Sequence, residues 1–140
     1  MTKINFGRVI LGGLVAGILL NLGDFLLHEP ILGEQWKAAM MTYNMPTPGT
    51  GAITYFVIMD FIIAIAMVWL YAAMRPRFGA GVRTAIVAGL VVWFFGWLTN
   101  LGGLMAMNIY PSKLLTTTLI WGFVQMPVVA ILGAWLYKEA

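Results

Sequence analysis

Four stretches of the chain are too long and too apolar for an aqueous surface: roughly residues 6–27, 52–73, 84–107 and 115–137. Each matches the length a helix needs to cross about 30 Å of hydrocarbon. Lipid offers no partner for free backbone N–H and C=O groups, so such segments must be helical. The expected fold is all-α, an integral membrane four-helix bundle forming a single transmembrane domain over 1–140. Composition agrees: 61% of the residues are hydrophobic and 9% charged, against about 25% charged in soluble domains.

Met1, Lys3 and Arg8 before an apolar run give the N-terminus the cast of a signal peptide. The run is longer than a typical signal core and lacks a small-residue cleavage site, so a retained membrane helix is expected. Lys3, Arg8, Arg75, Arg77, Arg83 and Lys138 fall on one side of such a bundle, and only Lys37 and Lys113 on the other. Positive charge marks the cytoplasmic side, which predicts a multi-pass protein of the cell inner (plasma) membrane with both termini cytoplasmic. The net charge of +3 comes from residues scattered at segment ends. With no basic patch, no nucleic-acid partner is expected.

The long first loop carries its own pattern. In "ILGEQWKAAMMTYN", Ile31, Leu32, Trp36, Ala39, Met40 and Tyr43 share about half a helical wheel, with Glu34 and Lys37 opposite. This predicts a short interfacial helix in the first outer loop. "PTPG" at Pro46 to Gly49 then turns the chain back.

Two tripeptides recur. "NLG" stands at Asn21 to Gly23 and at Asn100 to Gly102; "WLY" stands at Trp69 to Tyr71 and at Trp135 to Tyr137. Each pair falls at one depth in successive hairpins, the signature of two duplicated helical hairpins about an axis along the membrane normal.

A polar stripe runs through this frame. Gly13, Gly17, Asn21, Asp24 and His28 share one face of span one, and Gly89, Trp93, Gly96, Asn100 and Gly103 one face of span three. Small residues at this spacing let backbones approach, so Gly13, Gly17, Gly89, Gly96 and Gly103 are expected to pack the two stripes together. Asp60 in span two and Gln125 in span four fall at the same outer depth. Asn21, Asp24, Asp60, Asn100 and Gln125 thus form a candidate polar layer, with Thr99 beside it and His28 above.

An intramembrane carboxylate is costly and belongs in the bundle interior or a wet cavity. Three readings stand open. The layer is structural glue; or it is a small cation or proton site with His28 as a titrating gate; or His28 is an axial or polar ligand to a bound cofactor, whose identity is unknown. Pro127, two residues past Gln125, should kink span four.

With no cysteine, thiolate chemistry is excluded. Met40, Met41, Met45, Met105 and Met107 gather near the outer face, but without a repeated spacing or a histidine partner they read as packing filler, and no metal site is expected. One histidine and five acids leave most catalytic schemes short of parts, and no phosphate-binding or dinucleotide loop is present. An enzyme is not expected.

"EPILGEQWKAAM" resembles the exit of the first helix in a family of small four-helix bacterial membrane proteins, where a Pro/Gly turn is followed by a tryptophan. The matching residues are Pro30, Gly33 and Trp36, and "VVAILGAWLY" is similar to that family's last span. "LLHE" before Pro30 departs from the aromatic pair expected there. The resemblance implies the fold and carries no activity.

The expected role is a non-catalytic accessory or scaffold subunit of a larger membrane complex, a bioenergetic one among the candidates. Its partners would be the lipid bilayer and other membrane subunits, or a second copy in a homo-oligomer. Phe94, Phe95, Trp97, Trp121 and Phe123 offer more aromatic bulk than so small a bundle can bury. The alternative is a small channel or transporter for a cation or proton that uses the polar layer.

Overall fold

Asparagine begins the first helix: Asn5 Oδ1 accepts the Arg8 backbone N–H at 3.2 Å and satisfies one of the donors that a helix start leaves free. Helix α1 then runs Phe6–Ile31, α2 Gly33–Thr42, α3 Thr50–Phe78, α4 Val82–Ala106 and α5 Ser112–Leu136. These coordinates are a computed structural model and describe residues 3–140; Met1 and Thr2 lie outside the described residues. No strand occurs among them, and α1, α3, α4 and α5 are each long and apolar enough to cross a membrane.

All four long helices outrun the expected spans in one direction or another. Helix α1 continues past residue 27 to Ile31 because a π-helical turn, Leu27–Ile31, absorbs Pro30, which has no N–H to give. Helix α3 continues through Arg75, Pro76 and Arg77 to Phe78. Gly79 and Gly81, at φ of 85° and 127°, then make a turn that L side chains rarely adopt.

Helix α1 packs on α3 and α5, and α4 packs on α5 and α3; α3 and α5 also touch across the middle, leaving α1 and α4 at opposite corners. Small residues set the approach. A Cβ on Gly12 would lie 2.6 Å from the Gly133 carbonyl oxygen, and one on Gly13 would lie 2.5 Å from Ile65 Cα. Ala16, Leu20, Ala64, Met67, Ala88 and Met126 are fully buried between these seams.

At the end carrying the termini, the two WLY tripeptides make matching contacts. Tyr71 and Tyr137 close the WLY repeats and meet edge to face, with centroids 6.1 Å apart. Tyr137 Oη accepts the Asn5 N–H (3.2 Å) at the start of α1, and Tyr71 Oη accepts the Gly81 N–H (3.1 Å) at the start of α4. Each hairpin therefore holds the other's first residue by the same bond. The Arg75 guanidinium lies over both rings, 5.9 Å from the Tyr71 centroid and 5.2 Å from the Tyr137 centroid, with Glu139 at 3.7 Å. Tyr71→Phe and Tyr137→Phe should each lower unfolding stability by about 1 kcal/mol, the net value of one hydrogen bond. Thermal melts in detergent measure this, and a silent Tyr137→Phe would remove the latch from the account.

The expected loop helix is present as α2. Leu32, Trp36 and Ala39 pack on Leu27 and Leu114, so α2 caps one end of the bundle. Ile31 and Tyr43, expected on that face, remain exposed. Tyr43 Oη instead accepts the Tyr110 N–H at 3.2 Å and ties the first loop to the last one.

Candidate functional site

Near the α2-capped end, three helices bring polar side chains together. Asp60 sits on α3 about 15 Å from Thr50, at 1.5 Å per residue. It is 8% exposed. Across the α1–α3 seam its carboxyl comes within hydrogen-bonding reach of the Asp24 carboxyl. From α5, Gln125 Nε2 donates to Asp24 Oδ1 at 2.8 Å and to the Leu20 carbonyl oxygen at 3.4 Å.

Two neighbours fix Gln125 in that pose. Trp121 Nε1 donates to Gln125 Oε1, which turns the amide N–H groups toward Asp24. Gly23 makes the room: a Cβ there would lie 2.6 Å from Gln125 Oε1. Asn21 spends its amide on the backbone, donating to the Gly17 carbonyl (2.9 Å) and the Val57 carbonyl (3.4 Å), so it ties α1 to α3 without touching the acids. The sequence patterns above place Gly23 in a repeated tripeptide and Trp121 among the unburied aromatics, and assign neither to the polar layer. The i,i+4 spacing of Trp121 and Gln125 is the signal that would have paired them.

Two of the expected members are not part of this site. Asn100 and Thr99 are exposed and bond their own helix, Asn100 Nδ2 to the Gly96 carbonyl (2.7 Å) and Thr99 Oγ1 to the Phe95 carbonyl (2.7 Å). The expected contact between the span-one and span-three stripes is not made either. Gly13 meets Ile65 and Gly17 meets Phe61, both on α3; Gly89 meets Met126 and Pro127 on α5; Gly96 and Gly103 have open space where a Cβ would be.

The cause is local. A π-helical turn, Phe94–Leu98, interrupts α4. One extra residue in a turn advances everything after it by about 100°. Gly89, before the turn, faces the bundle; Asn100 and Gly103, after it, are carried off that face.

His28 is exposed at the head of the site. Its Nδ1 donates to the Asp24 carbonyl oxygen at 2.9 Å, since a carbonyl can only accept, and its ring rests 5.8 Å from that of Trp36. Among the described residues no group of three His, Cys, Asp or Glu side chains could hold a metal ion. Pro127 lies inside a continuous α5, and α4 comes close beside it: a Cβ on Gly89 would lie 2.7 Å from the Met126 carbonyl oxygen.

No family model matches the chain, and no curated protein or solved structure matches it either.

Proposed function

We propose that the protein is a multi-pass subunit of a bacterial inner membrane, with both termini cytoplasmic, that serves a larger membrane complex as a non-catalytic accessory or scaffold. The orientation follows from charge: the end carrying both termini holds Lys3, Arg8, Arg75, Arg77, Arg83 and Lys138, and the α2-capped end holds only Lys37 and Lys113.

One observation carries the docking role. At the α2-capped end the bundle is open between α3 and α4. Every residue from Thr50 to Ile58 is exposed, and Gly96, Gly102 and Gly103 have no atom within 4 Å of where a Cβ would stand. Within the helix–helix seams of this chain, glycines receive a neighbouring helix, as Gly12, Gly13 and Gly89 do; Gly51, at the uncovered start of α3, is open like the α4 strip. Lipid gains nothing from a glycine strip, whereas a partner helix gains close backbone approach and the amide of Asn100.

Filling the strip with Gly96→Leu or Gly103→Leu should abolish a heteromeric mass in native mass spectrometry of protein extracted from its own membrane. The melting temperature of the isolated protein should barely move. A wild-type protein that leaves mild detergent extraction only as a monomer would overturn the scaffold reading. A lone homodimer would replace the foreign partner with a second copy.

The second reading, a small cation or proton transporter, is favoured by the Asp24–Asp60 contact. Against it, the remaining acids are Glu29, Glu34 and Glu139, so no other carboxyl pair lies deeper in the spans to take an ion onward.

A further inference from the structure

Asp60 is a buried acid in the α1–α3 seam, and no donor among the described residues reaches it. It is 8% exposed, lies opposite another carboxyl, and receives no hydrogen bond from any side chain or backbone N–H. The amides that could have served it are committed elsewhere. Gln125 gives its N–H groups to Asp24 and Leu20, and Asn21 gives its own to Gly17 and Val57. Asp24 thus has a donor fixed by Trp121 and Gln125, while Asp60 has only Asp24.

Two carboxylates in contact in a low-dielectric seam repel strongly, and something positive must lie between them. A metal ion fits poorly. Calcium and magnesium take six or more oxygens, whereas the two side-chain amides nearest this pair turn N–H groups, not oxygens, toward their neighbours. A proton needs only the two carboxyl oxygens.

We propose that Asp24 and Asp60 form a proton-binding site in which Asp60 holds the proton and donates it in a hydrogen bond to Asp24. This goes beyond the scaffold role and does not depend on it. The groups facing the pair are few. On α1 there is Asp24 with His28 one turn beyond it, on α3 Asp60 itself, and on α5 the neutral Gln125 and Trp121; α4 turns Thr99 and Asn100 outward. When the proton leaves, two like charges face each other at the point where α1 holds the otherwise uncovered first turns of α3. Proton loss should therefore loosen that half of α3.

The probe is dicyclohexylcarbodiimide, which adds to protonated carboxyl groups in apolar surroundings, applied to membranes containing the full chain and mapped by peptide mass spectrometry. The expected result is a label on Asp60 that falls as pH is raised, is absent in Asp60→Asn, and drops severalfold in Asp24→Asn, where the negative charge that retains the proton is gone. A wild-type protein that takes no label on either aspartate at acid and neutral pH overturns the proposal, as does Asp60 labelling that Asp24→Asn leaves unchanged. Should Asp24→Asn fail to fold, infrared spectra of the wild type decide: a protonated-carboxyl C=O band lost in alkali upholds the pair, and its absence overturns it. Both readouts use the protein alone, so they stand apart from the partner experiment.

Discussion

Gly13→Leu should break the α1–α3 seam and lower unfolding stability by about 3 kcal/mol, the upper part of what overpacking usually costs. The Cβ alone would sit 2.5 Å from both Ile65 Cα and Ile65 Cγ1. The side-chain carbon can rotate away, but the Cα cannot move without displacing α3. That displacement would also pull Asn21 from Val57 and Asp24 from Asp60, which lie on the same seam. Gly96→Leu is the matched control: the same added volume meets nothing within 4 Å. Dodecyl sulfate titration in mixed micelles should shift its midpoint for Gly13→Leu and leave it in place for Gly96→Leu. Equal midpoints for the two variants would mean that glycine at position 13 is not what lets the helices close.

Gln125→Leu should have the second largest effect. Leucine keeps nearly the volume, so no cavity opens, and the change isolates the polar contribution. Two groups lose their partners together: Asp24 Oδ1 loses its donor, and Trp121 Nε1 loses its acceptor. Leaving a half-buried polar group unpaired costs about 1–3 kcal/mol, which puts the sum at roughly 3 kcal/mol. Trp121→Phe removes only the orienting bond and should cost about 1 kcal/mol. The same micelle titration ranks them, with Gln125→Leu below Trp121→Phe below wild type. A Trp121→Phe midpoint equal to wild type would mean that the amide is held by the α1 backbone at Leu20 and not by the indole.

The sequence made the four long helices legible because about twenty apolar residues in a row have few other folds open to them. Helix ends were harder. Arg75 reads as loop, yet its long side chain lays the guanidinium over Tyr71 and Tyr137 and lets α3 run on to Phe78. Pro30 reads as a stop, and a π-helical turn carries α1 past it.

In the site, Gln125 meets Asp24 across from α5, while Asn21 bonds only backbone carbonyls. Periodicity fixes which residues share a face of one helix; it does not say which neighbour that face meets. The glycine stripe of α1 was therefore assigned to α4 when it belongs to α3. Nor does a periodic count survive the inserted residue at Phe94–Leu98, which is why Asn100 and Gly103 were placed inside when they lie outside.

The reciprocal tyrosine latch joins two hairpins that need not be alike. A chain of half this length, paired with its twin about the same axis, would make that latch twice from a single tyrosine. Joining the halves into one polypeptide removes the requirement that both stay alike. The tetrapeptides "NLGD" and "NLGG" differ at one position, with Asp24 in the first half and Gly103 in the second. One half keeps a buried acid facing its own hairpin partner, and the other presents a bare strip to the outside. A strictly symmetric pair of identical hairpins would have to carry both features on each side or neither; a single chain can divide them.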